Sequence, residues 1–434
     1  MHAIETQASE KTPSRPAPST ELRGTHDDLL HRIVREGLPQ LLGALEERGR
    51  YLPGYVLSEL ERFSTCQDPV EGFAHLVCPD CGHHRIVPFS CKTRGFCPCC
   101  CGRRMAERAA TWCDSIIPHV PVRQWVLTLP WNRRFLFSCH PELAKGALHV
   151  VLRAIFGWYR SRGQALGIPD GKTGSISVFQ RFGSALNLNL HVHSLVLDGV
   201  YARDAKTGLL RFHALAPPSQ EDMEELVSTI AKRVERWLER KGHGSHREDT
   251  PMEEDPNDAQ ILLKAASMEG RAALGRRAGR KTRRMGQPRN PYAMPRRCAA
   301  VDGYNLHADV RVSLNDRAGL ERICRYLLRP PLSRARLDEN EEGDLVVQLK
   351  RAWSDGTTQI VLTRLEFLER LCALVPQPGV NQVLYHGILA AHAEGRAEIV
   401  PPIPVGHERR SPKTSSSGWR MLRNHLADGP GRNS

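Results

Sequence analysis

No run of about 18 consecutive apolar residues occurs anywhere in the 434-residue chain, so no segment reads as a membrane-spanning helix. The opening MHAIETQASEKTPSRPAPSTELRGTHDD has no apolar core of the length a secretory signal needs. These two absences lead us to expect a soluble, cytoplasmic protein with no membrane partner. A GxxxxGK[ST] phosphate loop is missing as well, so any duplex unwinding the protein requires is expected to come from a host helicase. No internal repeat occurs, which excludes a repeat array.

What is present narrows the class further. A chain of this length has room for roughly two to three domains with buried cores, and at 40% hydrophobic residues it is not an intrinsically disordered chain. Sixty-one Lys and Arg against 48 Asp and Glu leave a formal charge of +13, which points to a polyanionic partner. Thirteen cysteines in a reducing compartment argue for bound metal before disulfides.

Residues 1–26, rich in Ser, Thr, Pro and Glu, read as a mobile tail. Apolar residues recurring every three or four positions predict helices over Leu29–Leu42 and Leu57–Phe63, followed by a Cys-, Gly- and Pro-crowded stretch from Cys66 to Gly102 and a further helix over Arg103–Ile117. The spacing then changes to period two. Strands are expected at Trp125–Pro130, Ser175–Gln180 and Leu188–Tyr201, with a helix at Pro141–Tyr159 between the first two and another at Met223–Lys241. Later come a strand over Leu306–Ser313, a helix over Asp316–Arg329 stopped by Pro330-Pro331, and a hairpin over Leu345–Leu362 turning at Ser354-Asp355-Gly356. The fold class is α+β. The expected domains are a helical and zinc-binding module over 27–117, a second domain over 118–402 carrying a basic insertion at 243–297, and a flexible C-terminal tail over 403–434. Within that insertion, Lys264–Arg297 holds eleven Lys and Arg against Glu269 alone, which makes it the natural electrostatic contact for a nucleic acid.

Cys78-Pro-Asp-Cys81 is followed, after fifteen intervening residues, by Cys97-Pro-Cys-Cys100. Each CxxC places two thiolates on one tight turn, and two such knuckles close a tetrahedral site, so Cys78, Cys81, Cys97 and Cys100 are the expected ligands of a structural Zn²⁺. Cys91 is an alternative ligand. The segment has too little apolar material to fold by burial alone, and metal binding would supply the missing folding energy. Arg103 and Arg104 stand directly behind the second knuckle and are candidate DNA contacts.

In Leu190-His191-Val192-His193-Ser194 the alternation of a strand puts His191 and His193 on one face, close enough to share a metal ion. Gln180, on the preceding strand, is one candidate third ligand and His307 is the other. Two imidazoles with oxygen ligands suit Mg²⁺ or Mn²⁺. On the helix Asp316–Arg329, the residues Leu320, Ile323, Cys324, Leu327 and Leu328 form an apolar arc with Tyr326 at its edge. Arg322, Arg325 and Arg329 lie near that tyrosine, and arginine offers paired donors to phosphate oxygens.

The order of these segments carries a resemblance: the cysteine knuckles ending in Gly102-Arg-Arg-Met105, then WVLTLP, QRFGSALNLNLHVHSLVLDGVY, DGYNLHADVRV and DRAGLERICRYLLRPPLSRARL. From about Asp27 to Pro402 the chain resembles the HUH-type tyrosine transposases of bacterial rolling-circle insertion sequences and their common-region relatives. The resemblance implies an N-terminal zinc ribbon and a nuclease domain whose central antiparallel sheet carries the two histidines as metal ligands, with Tyr326 as nucleophile. Members with paired tyrosines carry a second one a helical turn before the first, where this chain has Arg322, so it resembles the single-tyrosine branch. A phenol with its ordinary pKa of about 10 is a weak nucleophile at neutral pH, and a divalent ion on the scissile phosphate would compensate. The expected activity is nicking and rejoining of single-stranded DNA at element ends through a 5′-phosphotyrosine, in rolling-circle-type transposition. The alternative from another class is a non-enzymatic zinc-ribbon DNA-binding protein.

Overall fold

The computed structural model describes residues 28–79, 81–244, 257–287, 296–401 and 420–422. The expected tails, apart from 420–422, lie outside the described residues, as do 245–256 and 288–295 of the expected basic insertion. In chain order the first half contains α1 (Leu29–Glu46), α2 (Gly54–Ser64), β1 (Phe73–Val77), β2 (His84–Pro88), α3 (Pro98–Ser115), β3 (Val122–Thr128), α4 (Trp131–Cys139), α5 (Pro141–Ala165), β4 (Gly174–Phe182), β5 (Leu188–Leu197), β6 (Gly199–Arg203) and β7 (Leu210–Ala214). The second half contains α6 (Gln220–Arg240), α7 (Ala259–Glu269), β8 (Arg283–Gly286), β9 (Cys298–Val301), β10 (Tyr304–His307), β11 (Arg311–Val312) and α8 (Arg317–Leu328). It closes with β12 (Leu337–Glu339), β13 (Leu345–Gln348), β14 (Thr357–Leu362), α9 (Arg364–Leu374), β15 (Val383–Gly387), α10 (Arg396–Ile399) and β16 (Arg420–Leu422).

The chain divides into two compact units. In the smaller, β1 and β2 form an antiparallel hairpin extended by β16. The larger unit holds α1, α2 and everything from Cys91 to Pro401. Its main sheet runs β15-β4-β5-β3-β10-β9, with β11 also pairing with β3, and every pairing is antiparallel. The fold is α+β, as the alternation of periods predicts.

Period-two alternation gives this sheet two buried faces. Trp125, Leu127, Leu190, Val196 and Leu306 pack against apolar residues of α4, α5 and α6. Ile176, Val178, Leu195 and Leu197 point the other way, under Trp112 and Cys113 of α3 and Ile323, Cys324 and Leu327 of α8. Each large apolar side chain so removed from water stabilises the fold by about 1.5–3 kcal/mol. The run expected as one strand to Tyr201 is split into β5 and β6 at Asp198-Gly199. A Cβ on Gly199 would sit 2.2 Å from the His213 carbonyl oxygen, so that crossing needs glycine.

Sequence bias does not show how the basic segment folds. α7 packs on α9, and β8 joins β12, β13 and β14 in a four-stranded antiparallel sheet. Several of its arginines are paired: Arg277 with Glu366 at 2.9 Å, Arg283 with Asp344 at 2.6 Å and Arg284 with Asp355 at 3.0 Å. Less of the local +10 is therefore available to a polyanion than composition implies.

One charged network lies inside the main sheet. Asp198 accepts both Nε–H and Nη2–H of Arg123 at 2.9 Å, Nε–H of Arg311 at 2.8 Å and the Tyr159 hydroxyl at 3.0 Å. Asp198, Arg123 and Tyr159 are all buried. Burial first, then the charge of Asp198, pushes the Tyr159 phenol well above its ordinary range, so it stays a donor. Removing one partner of a buried pair leaves an uncompensated charge, and Asp198→Ala is expected to lower stability by about 3–5 kcal/mol, measurable by urea unfolding.

Candidate active site

β5 supplies the two histidines and antiparallel register supplies their neighbours. Gln180 on β4 lies directly opposite His191, and Val178 opposite His193. The two imidazole centroids are 4.9 Å apart. His191 Nδ1–H donates to the Asn189 carbonyl at 2.8 Å, which leaves the Nε2 lone pair for a ligand. His193 is buried, its Nδ1 lies 2.7 Å from the side-chain amide of Gln124, and its Nε2 has no hydrogen-bond partner among the described residues. Burial keeps both rings neutral: it pushes His191 down to about 4 and His193 well below the usual histidine range, with Arg329 adding repulsion in each case. A neutral imidazole is the form that binds a metal ion.

The helix expected over Asp316–Arg329 is α8, with Asp316 as its N-cap, accepting from the Gly319 N–H at 2.7 Å, and Arg329 as its C-cap. Its apolar arc lies on the histidine face of the sheet, where Cys324 Sγ is 4.0 Å from Cys113 Sγ of α3. Arg317 at the first turn donates to the Cys113 carbonyl and pairs with Asp114. This seating leaves Tyr326 42% exposed, with its ring edge-to-face to His193 at 5.5 Å between centroids. The buried Gln180 amide Nε2 donates to the carbonyls of Tyr326 at 3.0 Å and Leu327 at 2.9 Å, capping the last turn, while its Oε1 is buried with no partner among the described residues. The tyrosine, the two histidines and the glutamine are thus brought together.

His307 is placed elsewhere. It shares the histidine face, but β3 intervenes, since Val126 pairs with both His193 and His307, which sets it roughly 10 Å away at two strand spacings. Of the arginines, Arg329 lies over the Tyr326 ring at 4.6 Å and over Phe182 at 5.3 Å. Arg322 and Arg325 sit on the outer face, paired with Asp316 at 3.8 Å and Glu321 at 2.7 Å. Arg104 donates to the Lys92 and Thr93 carbonyls at 3.2 and 2.5 Å, and Arg103 is exposed. Gln124 was not among the expected residues. Its signal was a polar side chain inside the apolar strand Val122–Thr128.

The cysteines also sort by place. Cys91, Cys97 and Cys100 are buried in the larger unit with sulfurs within 4.8 Å of one another, Cys91 and Cys100 being 3.4 Å apart. Cys97 caps α3, accepting from the Cys100 N–H. The adjoining loop is anchored by Glu59, whose carboxylate accepts the Gly95 N–H at 2.5 Å. Burial pushes the Cys101 thiol up to about 12, so it stays protonated beside them. Cys78 and Cys81 lie in the smaller unit, at the turn between β1 and β2, Cys78 half-buried and Cys81 exposed.

A family model described as "Putative transposase" matches residues 174–396, just over half of the chain, and covers Gln180, His191, His193 and Tyr326. The chain belongs to this transposase family. A second model, the transposase zinc-binding domain of the IS91 type, matches residues 38–129 and so includes the cysteines. Together the two support an IS91-type transposase and a structural zinc. No curated protein and no solved structure matches it. Among the described residues no helix is long and apolar enough to cross a membrane.

Replacing both Cys97 and Cys100 by serine in this transposase is expected to abolish zinc binding and lower the melting temperature. Metal analysis of the purified protein checks it, and an unchanged zinc content would place the metal elsewhere.

Proposed function

We propose that the transposase nicks and rejoins single-stranded DNA at its element's ends, in rolling-circle-type transposition, with Tyr326 as the sole nucleophile in an HUH-type site. The observation that carries this reading is the edge of the Tyr326 ring against His193, whose buried Nε2 has no partner. A buried polar atom without a partner costs about 1–3 kcal/mol, and Gln180 Oε1 is a second one in the same place. Neutral imidazoles and an amide oxygen fit a divalent ion such as Mn²⁺ or Mg²⁺. His191, His193 and Gln180 would hold it, and when bound it supplies Lewis-acid polarisation of a phosphodiester.

The chain's own residues do the rest. Gln180 fixes the last turn of α8 through the Tyr326 and Leu327 carbonyls, so the phenol is held by backbone rather than by its own side chain. The guanidinium of Arg329 beside the ring offers paired donors to a phosphate drawn to it. The phenolic oxygen bonds to phosphorus as the P–O3′ bond breaks. The phenolic proton leaves to solvent through the ring's exposed side, and the departing 3′ oxygen takes up a proton. The product is a 5′-phosphotyrosyl strand with a free 3′-OH, and reversal by a 3′-OH rejoins a strand without ATP. A host helicase would supply the single strand.

For the zinc we propose Cys91, Cys97 and Cys100 of the larger unit as three thiolates of its tetrahedral shell. Cys78 and Cys81, a CxxC pair in the smaller unit, remain the alternative pair.

Incubating the full chain with Mn²⁺ and single-stranded oligonucleotides from the element's ends should give a protein band shifted on a denaturing gel, and Tyr326→Phe should abolish it. An adduct that survives this change would reject Tyr326 as nucleophile. Binding without any adduct from the wild type would favour the non-enzymatic zinc-ribbon reading.

A further inference from the structure

β15 pairs with β4 only as far as Val178, and the last bond between them is Phe179 N–H to the Gln382 carbonyl at 3.0 Å. Beyond this point the edge of β4 opens into a cavity of about 340 Å³ between the strand, α3 and the C-terminal end of α8. The cavity belongs wholly to the larger unit, and its size is at the lower end of the range for small-ligand pockets. Its lining is strongly one-sided. Arg94, Arg104, Arg108, Arg181 and Arg329 all contribute, and no acidic side chain lines it.

The Arg329 guanidinium carries a buried Nε–H with no acceptor among the described residues, and Gln180 adds its unpartnered Oε1. Donors left without acceptors in a cavity free of carboxylates call for an anion brought from outside. Aromatic and amide groups accompany them. Phe182 presents its ring under Arg329, and Asn381 and Gln382 bring side-chain amides able to read a base edge. Arg329 belongs to both places, one guanidinium stacked on Tyr326 and on Phe182, so whatever fills the cavity lies next to the phenol.

We propose that this cavity is a subsite for one nucleotide of the single strand, flanking the phosphate that Tyr326 attacks: the arginines take its phosphate, and the aromatic and amide lining takes its base. The subsite rests on the strand-nicking reading for its register but not for its existence. It adds recognition that the histidine and tyrosine site lacks, and it makes α3 part of the DNA-binding surface.

The test uses the full chain, a labelled (dT)12 strand and a 12-residue abasic strand of the same charge. Arg94→Ala with Arg108→Ala, both exposed positions, should weaken (dT)12 binding at least tenfold at 0.1 M salt and lower the slope of log K against log salt by about 0.7 for each lost phosphate contact. A second double variant, Asn381→Ala with Gln382→Ala in the amide lining, should lose the preference for (dT)12 over the abasic strand. A charge-matched control, Arg153→Ala with Arg236→Ala on the opposite side of the sheet, should lose less than threefold and keep that preference. Equal losses in the arginine pair and the control, or an unchanged preference in the amide variant, would overturn the subsite. Adduct formation by the wild type is a separate readout: an adduct with no effect of the arginine pair leaves the nicking reading standing without the subsite. An effect with no adduct leaves the subsite and removes the nicking.

Discussion

A side-chain amide ties the helix that carries Tyr326 to the sheet. The final carbonyls of α8 have no intrahelical donors, and Gln180 meets two of them from β4, directly opposite His191. Because Gln180 is buried, water competes poorly for those bonds, and the position of Tyr326 becomes a property of strand register. A slip of one residue between β4 and β5 would turn Gln180 to the other face and uncouple the helix from the histidines. The packing of α8 on α3 supports the other end of the same helix, through Cys324 against Cys113 and Arg317 on the α3 carbonyl and Asp114.

Electrostatics within this frame are divided by depth. Under the helix, burial holds two imidazoles neutral and leaves polar atoms of His193 and Gln180 without partners. At its rim stands Arg329, and past it a cavity of arginines. On the far side of the strand, Asp198 gathers Arg123, Arg311 and Tyr159 into a closed network that holds β3, β11 and α5 to one another. Buried charge there is satisfied and structural. Beside the tyrosine, by contrast, polar atoms of His193, Gln180 and Arg329 are buried with no partner among the described residues.

Much of this was legible in the chain itself. The alternation around His191 and His193 placed both on one face, and the spacing from Leu320 to Leu328 put Tyr326 at the border of a buried arc. Helix limits were less visible: α3 begins at Pro98, inside the second cysteine knuckle, because Cys97 caps it. The basic run from Lys264 looked like one exposed patch, yet Lys264 itself is buried and three of the arginines meet acids more than sixty residues away. No local pattern records such pairings, since each partner is chosen by how distant strands stack.

The sequence alone determined the periods, hence the α+β class, the shared face of the histidines and the place of the tyrosine on its helix, because these follow from residue order along one element. Tertiary structure decided which residues meet across elements. Gln180 rather than His307 stands beside the histidine pair, because β4 is β5's neighbour on one side whereas β3 separates β10 from β5 on the other. Cys91 stands beside Cys97 and Cys100 in the larger unit, a closeness that no CxxC spacing records. Spacing sets what two residues on one element can share, but the sheet order sets what faces them.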